Sequence, residues 1–322
     1  MRILQSLCYL VPVLWTTSAQ AGHGGSAPAN REWTSLNKWA WKNNFKLSWL
    51  KKNESAFLAS ESAKMSFTID SQLAKINRVN VWLCDPVALR DGQACISSLD
   101  LRRSIQPILF PEEGDAGNPI KTICLDPGHG GKDTGGKVGT HLEKRYTLLL
   151  AQELEKRMRA VGLKVLLTRN RDRFVELENR PALANRPKAD LFISLHFNIA
   201  RPGEAKGVEV YCLTPAKASS TNARGQGRDA GSLPGNRHDD RNVLLAYELQ
   251  KALVRELLTE DRGLRRARFA VLREAQMPAV LVEGGFLSDP EERNRIADPN
   301  YRRRMAEAIL LGVLAYRRIV ES

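Results

Sequence analysis

The stretch KTICLDPGHGGKDTGG, residues 121–136, joins a short apolar run to a loop with five glycines. The apolar run predicts a buried β-strand, and the glycines after it predict a tight turn. His129 lies in this turn, directly after the strand. Because the tetrapeptide Gly-His-Gly-Gly also occurs at residues 22–25, the first question is which of the two histidines has a chemical role.

Strand-like and helical patterns alternate from residue 121 to the C-terminus. This alternation predicts an α/β domain with a mostly parallel sheet flanked by helices. The active site of such a domain is expected where the strands end. The further strand-like runs are KVLLTR (164–169), DLFISLHFN (190–198), GVEVYCL (207–213) and AVLVEGGF (279–286), and the predicted helices cover about 142–161, 180–187, 242–258 and 299–319.

The chain changes character at PEEGDAGNPIK, residues 111–121, which is polar and rich in acidic residues, proline and glycine. We therefore expect a small α+β accessory domain over 31–110, a linker over 111–120 and a catalytic domain over 121–320. The first domain combines one amphipathic helical pattern with four alternating strand-like runs. It contains no histidine, so a catalytic metal is not expected there.

The N-terminus has the pattern of a signal peptide over residues 1–21. Arg2 precedes an apolar run, and Ala19-Gln20-Ala21 fits the small-residue rule for cleavage. The apolar run is too short to cross a bilayer core, so no stable membrane insertion is expected. We predict an exported protein, periplasmic or extracellular and associated with the cell wall. In such a protein His23 belongs to a short tail of small residues, where a solvated histidine without a chemical role is favoured over incidental weak metal binding.

The chain has 322 residues and a formal net charge of +13. A cationic surface suits an anionic partner, and by charge alone this is either nucleic acid or an anionic envelope polymer. The predicted export favours the envelope polymer over nucleic acid. Export also places the cysteines in an oxidising compartment, where Cys84 and Cys95, which flank a turn-like segment, either pair or stay free. The sequence does not indicate an oligomeric state.

Four polar residues lie at predicted strand or helix ends of the second domain: His129, Glu143, His196 and Glu283. We expect them to converge, because the carboxyl ends of parallel strands meet at one edge of a sheet. Two histidines and one carboxylate are a common ligand set for a catalytic zinc ion, which keeps a further position for water or substrate. A second carboxylate beside that water acts as general base and then as general acid.

Each of these residues also has an ordinary structural interpretation. His129 fits a glycine-rich turn, Glu143 complements a helix N-terminus, and His196 fits a hydrogen-bonded core position. Glu283 is harder to explain in this way, because it follows the apolar run PAVLV and a buried carboxylate without a partner is costly. The four residues together therefore favour a zinc site more strongly than any one of them does.

Six motifs follow one another along the second domain: LDPGHGGKDTGG (125–136), HLEKRYTLLLA (141–151), VLLTRNRD (165–172), LENRPALAN (177–185), ADLFISLHFN (189–198) and PAVLVEGGFLSDPEE (278–292). In this order they resemble the zinc-dependent N-acetylmuramoyl-L-alanine amidases of the Amidase_3 family, which cleave bacterial peptidoglycan. The resemblance implies that His129, Glu143 and His196 bind one zinc ion per chain. It also implies that Glu283 is the catalytic carboxylate and that peptidoglycan is the substrate.

Residues 31–110 more weakly resemble the N-terminal domain of copper amine oxidase type that accompanies some exported wall enzymes. This resemblance implies an accessory or wall-targeting role, and the missing histidines argue against copper. Two alternatives to the amidase stay open: another zinc hydrolase of cell-wall peptides, and a non-catalytic wall-binding protein, which is expected to lack a ligand or the carboxylate. Lys144, Arg180 and Arg273 either hold anionic groups of a stem peptide or form ordinary ion pairs.

Overall fold

The computed structural model describes residues 31–111, 119–201, 203–221 and 231–322. The predicted signal peptide, His23 and most of the predicted linker lie outside these ranges. The N-terminal part contains the strands β1 (Trp33–Ser35), β2 (Lys46–Lys51), β3 (Ser55–Ala59), β4 (Lys64–Thr68), β5 (Leu73–Ile76), β6 (Val79–Trp82), β7 (Ala88–Arg90) and β8 (Gln93–Ser97). Its helices are α1 (Leu36–Lys42), α2 (Ser98–Asp100) and α3 (Gln106–Leu109), with a π-helical turn, Leu101–Ile105, between the last two.

The C-terminal part alternates strands and helices, as the sequence predicts. Its strands are β9 (Thr122–Pro127), β10 (Lys137–Val138), β11 (His141–Leu142), β12 (Lys164–Leu167), β13 (Leu191–Asn198), β14 (Val208–Leu213), β15 (Asp261–Ala267) and β16 (Ala279–Phe286). Its helices are α4 (Glu143–Ala160), α5 (Asn179–Asn185), α6 (Asp239–Leu257), α7 (Ala270–Arg273), α8 (Pro290–Ala297) and α9 (Pro299–Val320), and a 3-10 turn, Pro234–His238, precedes α6.

Six strands of the C-terminal part lie in one sheet in the order β12-β9-β13-β16-β14-β15, and β10 and β11 pair in a separate two-stranded sheet. All neighbouring pairs among the six are parallel except β14 and β16, which are antiparallel. The α/β class with a mostly parallel sheet is therefore confirmed. The arrangement brings the carboxyl ends of β9, β13 and β16 to one edge of the sheet.

Alternate residues of the central strands bury opposite faces of the sheet. On β9, Ile123 and Leu125 join the core formed with α4, α6 and α9, whereas Cys124 joins a second core formed with α5 and α7. Both faces are thus covered by helices, and this explains why these strands read as nearly continuous apolar runs. The predicted end of the first long helix also agrees, since Gly162 follows it with φ +82°, a conformation that favours glycine.

The sheet does not end at β15. Strand β15 pairs in parallel with β6, where Leu264 is the register partner of Val81. Trp82 Nε1 donates a hydrogen bond to the carbonyl of Arg262 at 2.8 Å. The antiparallel strands β6 to β2 continue the sheet, which reaches 11 strands in all. The two predicted domains therefore share one sheet, and the boundary at 111–120 stays a prediction.

Two further expectations concern cysteines and membranes. Cys84 and Cys95 are buried free thiols in the structure, so the pairing that the sequence left open is not present. Among the described residues, no helix combines the length and the apolar character that crossing a bilayer requires.

Candidate metal centre

Three of the four predicted site residues come together at the carboxyl edge of the sheet. His129 follows β9, Glu143 is the first residue of α4, and His196 lies on β13. One ligand atom of each residue lies within 4.8 Å of those of the other two. Glu143 lies between the histidines, with Oε2 at 3.1 Å from His129 Nε2 and Oε1 at 2.9 Å from His196 Nδ1.

The glycines of the opening stretch make this close approach possible. A Cβ on Gly128 would lie 2.2 Å from His196 Cε1, so the imidazole ring has room only beside glycine. A Cβ on Gly135 would lie 2.5 Å from His129 Cδ2, and its φ of +62° independently favours glycine. His129 itself has φ +60°, an uncommon conformation for a non-glycine residue. The loop is therefore shaped to present its histidine.

Asp133 fixes the orientation of His129, and the sequence analysis missed this role. Its Oδ2 lies 2.8 Å from His129 Nδ1, so the opposite ring nitrogen, Nε2, is the one that faces Glu143. Burial lowers the pKa of His129, but the hydrogen bonds to Asp133 and Glu143 outweigh it and raise this pKa to about 9. A carboxylate on the second nitrogen of a ligating histidine is the usual support of a zinc site. The feature of the sequence that could have indicated this role is the acidic residue four positions after the histidine.

The carboxylate of Glu143 is held in its ionised form. Burial opposes ionisation, but hydrogen bonds to His129 and His196 hold the pKa of Glu143 well below its usual range. Its oxygens also accept hydrogen bonds from the backbone N–H groups of Gly136 at 2.7 Å and Phe197 at 3.2 Å. Glu143 thus does more than complement a helix N-terminus.

The fourth predicted residue, Glu283, lies beside the cluster on β16. It is the register partner of His196 on β13 and of Glu209 on β14, so the three side chains point to the same face of the sheet. Glu283 Oε2 is buried and has no hydrogen-bond partner in the described structure. Burial, followed by the negative charges of Glu143 and Glu209, raises the pKa of Glu283 well above its ordinary value. Glu283 therefore combines the position and the basicity that proton transfer requires.

Comparison with known proteins identifies the family of the chain. The sequence model of the Amidase_3 family, described as N-acetylmuramoyl-L-alanine amidase, matches residues 123–315, more than half of the chain. The chain belongs to the Amidase_3 family.

Relatives of this Amidase_3 chain include the probable cell wall amidase LytH of Staphylococcus epidermidis, 35% identical over 204 residues, which cover 62% of this chain and 60% of LytH. The N-acetylmuramoyl-L-alanine amidase AmiC of Escherichia coli O6:H1 is 34% identical over 244 residues, covering 67% of this chain and 58% of AmiC. The chain thus spans about 60% of the length of these curated relatives. Among solved structures, the catalytic domain of CwlV, an N-acetylmuramoyl-L-alanine amidase from Bacillus (Paenibacillus) polymyxa var. colistinus, has a TM-score of 0.52 and 30% identity and covers 62% of this chain and 99% of that one.

Glu209 is a second residue of this Amidase_3 chain that sequence reasoning missed. It is buried and forms ion pairs with Arg262 Nε at 3.0 Å and Arg265 Nε at 2.9 Å. Asn198 Nδ2 donates to its Oε1 at 3.0 Å. Glu209 therefore anchors the end of β13 and places a fixed negative charge next to Glu283 on the neighbouring strand.

The basic residues considered for substrate binding each have a structural partner. Arg180 forms a buried ion pair with Asp126 at 2.8 Å and donates to the carbonyl of His129 at 2.9 Å, so it holds the ligand loop in place. Lys144 Nζ contacts Asp172 at 2.7 Å, and Arg273 Nε donates to the carbonyl of Arg268 at 2.8 Å. The ion-pair interpretation is confirmed for Arg180.

The Asp133→Asn variant is expected to bind zinc about 10- to 100-fold more weakly, because the neutral amide no longer supports the basicity of His129. Zinc affinity is measured by competition with a chromophoric chelator. The matched control is Asp91→Asn, which changes an exposed aspartate between β7 and β8, outside the ligand cluster, and is expected to keep the affinity of the unmodified protein. Equal affinities for both variants would show that Asp133 does not support the metal ligand.

Proposed function

We propose that this Amidase_3 chain is a zinc-dependent N-acetylmuramoyl-L-alanine amidase. In this proposal it hydrolyses the amide bond between N-acetylmuramic acid and the L-alanine of a peptidoglycan stem peptide. The single observation that carries the proposal is the cluster of His129, Glu143 and His196, with ligand atoms within 4.8 Å, beside the buried unpartnered oxygen of Glu283. The names of the family and of its relatives support the same activity.

The residues of the cluster fit one zinc ion per chain. Two histidine nitrogens and a carboxylate oxygen are a common protein ligand set of catalytic zinc sites. The hydrogen bond between Asp133 and His129 supplies the outer support that such sites use. When bound, zinc supplies Lewis-acid polarisation of the amide carbonyl and activation of water.

The proton transfers of amide hydrolysis are assigned to Glu283. As a general base it accepts a proton from the attacking water, and it then donates that proton to the nitrogen of the departing alanine as the C–N bond breaks. Its raised pKa lets one carboxyl group serve in both directions. Burial is the main cause of the raised pKa of Glu283, and the negative charges of Glu143 and then Glu209 add to it. Glu143 itself stays ionised and is assigned to the metal.

Two other parts of the proposal concern the rest of the chain. Export to the periplasm, the cell surface or the cell wall depends on the predicted signal peptide at 1–21, and peptidoglycan is the partner expected there. Residues 31–110, whose strands β2 to β6 extend the catalytic sheet, are proposed to act as an accessory part. A non-catalytic wall-binding role is disfavoured because all four site residues are present.

The experiment that tests the proposal is digestion of purified peptidoglycan by the zinc-loaded full chain, with mass analysis of the products. The expected products are stem peptides with a free L-alanine amine and glycan that retains the lactyl carboxylate. Cleavage between amino acids within the stem would identify a different zinc hydrolase of wall peptides. The absence of any released fragment would contradict an enzymatic role.

A further inference from the structure

A cavity of about 430 Å³ lies at the same edge of the sheet as the zinc cluster. One wall is the segment 173–176, which follows the carboxyl end of β12, and the other is helix α5. The walls are apolar and half-buried, whereas the rim is polar and exposed. The walls include Phe174, Ala182 and Leu183, and the rim includes Arg173, Glu176 and Arg186.

Both walls contact the loop that carries His129. On one side, a Cβ on Gly131 would lie 2.6 Å from the backbone nitrogen of Phe174, so the two backbones are in direct contact. Gly131 also donates a backbone hydrogen bond to Asp172 at 2.7 Å. On the other side, Arg180 of α5 donates to the carbonyl of His129 at 2.9 Å. A molecule in the cavity therefore lies beside the loop that presents a metal ligand.

The polar rim carries a net positive charge. Glu176 is the one carboxylate among the described lining residues, against two arginines. Arg186 is exposed and forms no ion pair with any residue that the structure describes. Arg173 uses one amino group for the carbonyl of Thr168 at 2.8 Å, and its other N–H groups are available to a ligand. Exposed guanidinium groups of this kind are well suited to carboxylates.

The walls favour a peptide over a sugar chain. Sugar rings are typically held on an open aromatic face, but Lys132 Nζ already lies 4.3 Å from the centre of the Phe174 ring. Small apolar surfaces, in contrast, suit the methyl groups of alanine residues. An apolar cavity with two rim arginines thus matches an acidic peptide that contains small side chains.

We propose that this cavity binds the acidic stem peptide of the substrate, with its carboxylates at Arg173 and Arg186. The proposal rests on the proposed function, because it assigns a subsite to the molecule that this function cleaves. The stem peptide then runs from the zinc cluster over the loop at 129–131 into the cavity, and the glycan lies elsewhere.

The test measures binding without turnover, in the full chain carrying Glu283→Gln. The probes are N-acetylmuramoyl-L-alanyl-D-glutamate and its D-isoglutamine analogue, in which an amide replaces one carboxylate. Calorimetric titration is expected to show about tenfold tighter binding of the glutamate probe, since one charge-assisted hydrogen bond is lost in the analogue. Equal affinity for the two probes, or no binding of either, would overturn the proposal.

Charge-reversal variants then test which arginines of the protein bind the carboxylates of the probe. Arg173→Glu and Arg186→Glu are each expected to weaken binding of the glutamate probe about tenfold, and Arg186→Lys is expected to keep most of the affinity. The matched control is Arg318→Glu, an exposed arginine on α9 that does not line the cavity, and its affinity should not change. Ala182→Trp, which fills the cavity, should weaken binding of the glutamate probe without altering the circular dichroism spectrum.

Two outcomes separate this proposal from the proposed function. If the arginine variants weaken binding of a peptide-free disaccharide of N-acetylglucosamine and N-acetylmuramic acid but not of the glutamate probe, the cavity binds glycan and the proposal is wrong. If the glutamate probe binds as expected while the protein without Glu283→Gln releases no stem peptides from peptidoglycan, the cavity assignment stands and the proposed catalysis fails.

Discussion

Replacement of Glu283 by glutamine is expected to lower the rate of stem-peptide release by about 10²- to 10⁴-fold, the usual contribution of general acid–base catalysis. The amide keeps the size and shape of the side chain but removes the group that accepts and returns the proton. Because Glu283 lies outside the cluster of three ligand atoms, zinc content should stay near one ion per chain. The loss should lie near the upper end of the range, since one residue serves both proton transfers.

The variant Glu143→Gln is expected to show the opposite order of effects. Glu143 lies between both histidines and has no proton to transfer in the proposed reaction, so its variant should lose zinc first and activity as a consequence. Zinc content and hydrolysis rate are measured side by side for both proteins. If Glu283→Gln lost its zinc and Glu143→Gln kept it, the two carboxylates would have to exchange roles.

The second large effect is expected for His129→Ala, which removes one of three ligands and should abolish both zinc retention and turnover. Two donors rarely hold a catalytic zinc ion in proteins, where three protein ligands are the rule. The readout is zinc content after gel filtration, together with stem-peptide release at saturating zinc.

The chain supplies its own control for this variant, because His23 lies in an identical tetrapeptide at residues 22–25. His23→Ala is expected to keep zinc content and turnover unchanged. The second tetrapeptide is preceded by the buried strand β9 and followed by the helix α4, which begins with Glu143, whereas the first lies outside the described residues. Loss of activity in the His23 variant would overturn the assignment of the metal ligands.

Much of the site was predictable because its residues lie at the ends of recognisable elements. His196 and Glu283 end apolar runs, and adjacent parallel strands place them as register partners. The roles of Asp133 and Glu209 were not predictable in the same way. Asp133 acts within one irregular loop, where its spacing of four residues from His129 is the only signal. Glu209 acts through ion pairs with residues of another strand, and no periodic pattern in the sequence indicates such contacts.

The strand that the sequence analysis missed illustrates the same limit. Asp261–Ala267 has the sequence DRGLRRA, whose charges argue against a buried strand, yet Arg265 and Arg266 are almost completely buried. Arg265 is neutralised by Glu209 and lies over the ring of Trp82, 4.3 Å from its centre. These partners lie on β14 and in the N-terminal part. The local sequence around Arg265 therefore could not predict that this strand is buried.

The continuity of the sheet from β15 to β6 also determines the order in which the chain can fold during synthesis. The strands β2 to β6 pair with their neighbours in sequence and can form as soon as they emerge, but the bond between Trp82 and Arg262 joins residues 180 positions apart. Until β15 is made, β6 is an unpaired edge, and such edges are prone to join other chains. The N-terminal part therefore has one open strand edge until β15, one of the last strands of the chain, pairs with it.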